Sequence, residues 1–226
     1  MEPLREAKDY SWTLSLDSHF PDIASGLCLH GRPCSRSGKQ EYLLTAHFPK
    51  LDLGTAVDVW NDLDFRPSWD PETVSIRELR KIDTSSVLFW PVKYAFPYSN
   101  REYLFKREKS SVTNENGEYH TITSKACQDS SVKVSGVRVA EYESRVVFYR
   151  LQGEQMGVHV YAEYYDDPKS ERSKSYIEKQ LVLFIRSFLT ALTVEDRHGP
   201  GKSDNTPGSK EIRKVLDDSM SSAFAI

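Results

Sequence analysis

Residues 60–105, WNDLDFRPSWDPETVSIRELRKIDTSSVLFWPVKYAFPYSNREYLF, hold three of the chain's four tryptophans, Trp60, Trp69 and Trp90. One arginine, Arg66, is set among these aromatics, just before Pro67. A run so rich in rings, with few charges at chosen points, predicts the wall of an apolar chamber.

Upstream of this run, Asp52 is placed to cap a helix over LGTAVDVWNDL, in which Val57, Trp60 and Leu63 recur at helical spacing. The Arg66-Pro67 step is expected to end it, because a residue before proline is pushed out of the α region. Residues 26–48 read as a hairpin, GLCLHGR and QEYLLTAHF, turning at Gly38. The first 25 residues carry scattered anchors, Leu4, Tyr10, Trp12, Leu14 and Leu16, and suggest a short helix.

Downstream, Thr73 to Tyr164 is almost entirely strand-like: TVSIRELRKI, SVLFWPVKY, EYLFKRE, EYHTITSKA, VRVAEYE, RVVFYRL and MGVHVYAEY. With the first hairpin this gives about nine strands joined by short polar turns, hence an antiparallel meander. Then comes the longest helical signal, SYIEKQLVLFIRSFLTAL. Its apolar face is Ile177, Leu181, Phe184, Ile185, Phe188 and Leu192, widened by Val182 and Leu189. A curved sheet needs its concave face covered, and this helix is the element long enough to do so. The class is therefore α+β, in two parts: a domain over residues 1–193 and a disordered, Gly/Pro/Ser-rich and charged tail over 194–226.

Composition narrows the function. A net charge of −3 over 226 residues lacks the basic excess of a general nucleic-acid binder. No apolar run approaches ~20 residues, and the N-terminus has no apolar core of a secretory signal. Cys28, Cys34 and Cys127 form neither a disulfide framework nor a zinc spacing, so reduced thiols in the cytoplasm are expected. The six histidines show no metal-ligand spacing, and no nucleophile motif with its base stands out. GPGKS at 199–203 lacks the spacing and strand–helix setting of a phosphate loop. No cofactor, metal or catalytic residue is expected.

Four segments in order, DVWNDLDFRPSWD, FWPVKYAFPYSNREYLFKRE, SGVRVAEYES and YAEYYDDP with the helix after it, resemble the START lipid-transfer domain, and within it the phosphatidylcholine-transfer subgroup. The likeness covers roughly Ser25 to Leu192. It implies a helix-grip fold, an antiparallel sheet wrapped round the C-terminal helix to enclose one lipid. It also implies roles. Arg66 matches the arginine that pairs with the lipid phosphate. Trp90, Tyr103 and Tyr142 match the aromatic cage for the choline ammonium. Trp60 stands where relatives have a tyrosine on the phosphate side, and Ser144 where they have a glutamine near the glycerol. After the Asp-x-Pro corner the family's glycines and tryptophans give way to Lys169, Ser170, Ser173, Ser175 and Lys179, and its second-half proline to Arg186. A straighter lid, with weaker or differently timed membrane docking, is expected.

These residue types suit a phosphocholine head. A quaternary ammonium donates no hydrogen bond and is held by aromatic faces, each worth about 0.5–2 kcal/mol. A phosphate wants the planar, permanently charged fork of arginine. From the residues alone, Arg66 could instead make a surface ion pair with Asp62, Asp64 or Asp70, and the rings could be ordinary core. The expected partners are one glycerophospholipid, phosphatidylcholine foremost, transient membrane surfaces, and a protein docking on the tail. The rival functions are a lipid-sensing module that regulates a partner, a carrier of another hydrophobic ligand such as a sterol, and an enzyme built in the same cavity. Arg66→Ala is expected to abolish phospholipid extraction with the fold intact.

Overall fold

The computed structural model describes residues 6–94, 99–133, 135–169 and 174–198. Of the disordered tail expected over 194–226, residues 194–198 instead continue the last helix, and the part beyond 198, with the GPGKS run, lies outside the described residues.

Among the described residues ten strands form one sheet: β1 (Trp12–Ser15), β2 (Ser25–Pro33), β3 (Gln40–Phe48), β4 (Arg77–Ile82), β5 (Ser85–Val92), β6 (Arg101–Asn114), β7 (Gly117–Ala126), β8 (Val137–Val139), β9 (Tyr142–Leu151) and β10 (Val158–Asp166). Their spatial order is β1-β2-β3-β10-β9-β7-β6-β5-β4. This departs from a plain meander in two places. The last strand, β10, inserts beside the early hairpin by pairing with β3, from Val158↔Phe48 to Tyr165↔Glu41. The short β8 runs parallel to β6 at Arg101–Tyr103, where β7 has already left it. All the other strand pairings are antiparallel.

The N-terminal segment is not a helix. It makes single turns at Ala7–Asp9 and Asp17–His19 around β1, because Trp12 and Leu14 alternate with Thr13 and Ser15 and pair across to β2. Gly31 lies opposite Trp12, and a Cβ there would stand 2.0 Å from the indole, so only glycine admits the ring.

Helix α1 (Leu53–Asn61) begins where expected: the Asp52 carboxylate accepts from the Thr55 backbone N–H at 2.8 Å. It stops at Asp62, before the proline. Arg66-Pro67 instead opens a separate turn, α2 (Arg66–Trp69), with Pro67 in its first turn, where a missing N–H costs nothing. Helix α3 (Lys174–His198) runs unbroken for 25 residues.

Strand parity sorts the core. On the concave face Leu27, Leu29, Ala46, Phe48, Phe148, Val158 and Val160 pack with α1, with Trp69 of α2 and with Val182, Ile185, Phe188, Leu189 and Leu192 of α3. On the opposite face Leu43, Val147 and Tyr161 are covered by Tyr10. Cavity-lining residues come from β2, β3, β5, β6, β7, β9, β10 and α3 together, so the sheet curls around the helix in the helix-grip manner. No helix among the described residues is long and apolar enough to cross a membrane.

Candidate functional site

Between the concave sheet face and the first half of α3 lies a cavity of 580 Å³, within the usual range for small-molecule sites. Register divides its wall into rows. Ile122, Val146, Ala162, Leu44 and Leu29 are successive cross-strand partners over β7, β9, β10, β3 and β2, and all line the cavity. Two residues along each strand lies a polar row, Arg107, Ser124, Ser144, Tyr164 and Tyr42. Beyond that row Tyr142 and Asp166 pair across β9 and β10. The chamber thus grades from hydrocarbon to charge along the strand direction. Tyr176, Ile177, Gln180, Leu181 and Phe184 of α3 close it.

Of the six residues singled out from sequence, five line this cavity: Trp60, Arg66, Trp90, Tyr142 and Ser144. Tyr103 stands behind them. Its ring packs 5.1 Å from Trp90 and 5.2 Å from Tyr142, and its hydroxyl donates to Asp166 at 2.6 Å. Burial pushes the Tyr103 phenol far up, so it stays a donor at any ordinary pH. Tyr142 and Ser144, two apart on β9, share a hydroxyl–hydroxyl bond of 3.0 Å.

Arg66 is held from every side. Its guanidinium carbon lies 4.9 Å from the Trp60 ring centre, 4.4 Å from Trp69, 5.9 Å from Trp90 and 5.1 Å from Phe184. Its Nε donates to Asp70 at 2.8 Å, one helical turn on. The ion pair weighed from sequence therefore exists, but it is buried, with Arg66 8% and Asp70 3% exposed. Asp70 also accepts from Thr73 at 2.8 Å, and Thr73 in turn accepts from the Trp90 indole at 2.9 Å. That chain of bonds ties the expected phosphate residue to the expected ammonium residue.

Arg107 and Asp166 were not legible as site residues. Arg107 is 8% exposed, and among the described residues its Nε and Nη1 meet no hydrogen-bond acceptor. Loss of water pushes its guanidinium down to about 10, Tyr142 favours its charge and Arg66 opposes it. The signal available was parity: Arg107 shares a strand face with Phe105 and Tyr103, inside an FKREKS run that reads as solvated charge.

The outer face carries a second arrangement. Tyr119, Tyr149, His159 and His47 stack across β7, β9, β10 and β3, at 5.4, 5.0 and 4.2 Å between ring centres. Glu154 meets His159 Nε2 at 3.1 Å. Donor atoms of His47, Glu154 and His159 all lie within 4.8 Å of one another, a group that sequence spacing kept apart. Two imidazoles and a carboxylate are ligands zinc accepts. The two imidazoles stack 13° from parallel.

Burial holds His47 below the ordinary imidazole range, with His159 acting in the same sense, and burial alone does so for His30. Each takes up its proton more readily in the unfolded chain. Their stability contribution is therefore full above pH about 6.5 and declines as pH falls through that value toward the lowered folded ones. The melting temperature is expected to drop between about pH 7.5 and about pH 5.5, and His47→Gln to flatten that slope. An equal slope in the variant would remove His47 from the account.

No family model matches the chain. Phosphatidylcholine transfer protein from Mus musculus is 26% identical over 147 residues, covering 64% of this chain and 67% of that relative. StAR-related lipid transfer protein 7, mitochondrial, from Homo sapiens is 25% identical over 171 residues, covering 73% of this chain and 44% of that one. Among solved structures, human StAR-related lipid transfer protein 5 superposes with a TM-score of 0.65 at 12% identity, over 77% of this chain and 84% of its own.

Proposed function

We propose, from a START domain that resembles phosphatidylcholine transfer protein, that this chain encloses one glycerophospholipid and carries it between membranes without covalent chemistry. Phosphatidylcholine is the headgroup the site suits best. One observation carries the reading: a permanently charged arginine and an aromatic cluster stand side by side at one end of a chamber whose other end is hydrocarbon. Arg66 takes the phosphate, with Trp60 and Ser144 beside it. Trp90 and Tyr142 face the ammonium, and Tyr103 braces both rings from behind. Ile122, Val146, Ala162 and Leu44 receive acyl chain.

Magnitude supports a carrier over a surface binder. Each buried CH₂ is worth about 0.8 kcal/mol, so a diacyl lipid leaves its bilayer only for an enclosure of comparable apolar area. A diacyl lipid is bulky for 580 Å³, and loading therefore needs the α3 roof to yield. The roof is divided for this: Ile177, Leu181 and Phe184 are half-buried over the cavity, whereas Ile185, Phe188 and Leu192 are anchored in the core. The working compartment proposed is the cytoplasm, the domain spans residues 1–193, and the segment after it is proposed to dock a protein partner.

Native mass spectrometry of the purified chain should find one phosphatidylcholine per polypeptide, and vesicle-to-vesicle transfer should follow protein concentration. A sterol in the cavity would overturn the headgroup reading. A bound phospholipid without transfer would make the chain a lipid sensor.

A further inference from the structure

We propose that Arg107 is a second anion-binding residue of this cavity, and that its two unsatisfied guanidinium nitrogens make the site require an amphiphile bearing an anionic oxygen group. The inference rests on the enclosed-lipid reading and narrows its ligand class.

The two arginines of the chamber are not equivalent. Arg66 already gives its Nε to the buried Asp70 carboxylate, so its charge is compensated before any ligand enters. Arg107 lines the same cavity, is equally buried, and keeps Nε and Nη1 without an acceptor among the described residues. A buried guanidinium that packs over the Phe105 ring but leaves Nε and Nη1 without an acceptor among the described residues is a standing penalty of the fold, and an anion from the ligand removes it.

The surroundings say what kind of anion. Ser124 and Ser144 follow Arg107 in the polar row and add hydroxyl donors, as oxyanion recognition requires. On one side of that row lie Tyr142 and the Asp166 carboxylate, which receive a cation. On the other side lies the row from Ile122 to Leu29, which receives hydrocarbon. A phosphate seated between Arg66 and Arg107 would leave an attached ammonium at the tyrosine and the chains on the apolar row. A free anion would leave that row unfilled.

The test uses the full chain, delipidated and then offered mixed vesicles of phosphatidylcholine, diacylglycerol and fatty acid, with uptake read by native mass spectrometry. Arg107→Met should raise the melting temperature of the empty protein. It should also lower phosphatidylcholine uptake relative to diacylglycerol by about tenfold or more, the scale set by losing a charge-assisted bond. Arg107→Gln should shift the preference as Arg107→Met does. Wild-type lipid preference in either variant overturns the inference, and so does a lower melting temperature of empty Arg107→Met. If the wild type takes fatty acid in place of phosphatidylcholine and Arg107→Met loses it, the phosphatidylcholine reading fails while the role of Arg107 stands. Uptake of diacylglycerol alone by the wild type sinks both. Displacement of lipid from the wild type by inorganic phosphate would assign the site to a free anion and overturn the amphiphile.

Discussion

Arg66→Ala should lose about 3–5 kcal/mol of folding stability as well as phospholipid capture, because it strands the buried Asp70 carboxylate. The expectation from sequence alone was a clean functional knockout. The geometry changes that. Asp70 is 3% exposed, and with Arg66 gone it retains the Thr73 hydroxyl and the Glu72 backbone N–H, two neutral donors, against a full negative charge. Thr73 is also the acceptor for the Trp90 indole, so the disturbance reaches the aromatic end of the chamber. The remedy separates the two roles. Arg66→Met with Asp70→Leu removes both charges and keeps volume, and a buried pair replaced in this way is often neutral or stabilising. Urea unfolding should show the single variant destabilised and the double variant near wild type, with neither capturing phosphatidylcholine. A double variant that captures it normally would take the phosphate role from Arg66. A single variant as stable as wild type would mean that the Arg66–Asp70 bond contributes nothing net.

The sequence carried much of the fold because its strongest signals are local. The Asp52 cap, the alternation of Val158, Val160 and Ala162, and the apolar face of α3 are each decided within a few residues. What it could not carry is long-range pairing. Nothing near His159 announces that β10 will lie against β3, and that pairing creates the apolar row and the stacked histidines. The site shows the same division. Arg66, Trp90 and Tyr142 were found through motifs that resemble a family. Arg107 was missed because an arginine in a charged run reads as solvent-exposed until the partner strands show which face it occupies. Tyr103, expected as a wall of the cage, is not among the cavity-lining residues; its ring packs against Trp90 and Tyr142 and its hydroxyl donates to Asp166.

Ala162→Phe should leave the fold standing and abolish lipid capture. Ala162 is the small residue at the centre of the apolar row, flanked by Val146 on β9 and Leu44 on β10's other neighbour, β3, with its side chain on the cavity wall. A ring there enters space that acyl chain is proposed to fill. At about 0.8 kcal/mol per methylene, excluding two methylenes already costs roughly tenfold in affinity, and a phenyl group excludes more. The opposite outcome has an equally clear physical cause. If this part of the wall were close-packed core, extra atoms would force side chains off their rotamers and cost about 1–3 kcal/mol of stability. The two measurements therefore decide between chamber and core. An unchanged or higher melting temperature with uptake lost marks Ala162 as facing a space that the empty fold leaves open. A lower melting temperature with uptake intact would show that the lipid lies elsewhere. The substitution touches neither arginine nor the aromatic cluster. Loss of uptake in Ala162→Phe would thus locate the chains independently of the headgroup, and a fatty acid or sterol bound in the same row would be excluded along with phosphatidylcholine.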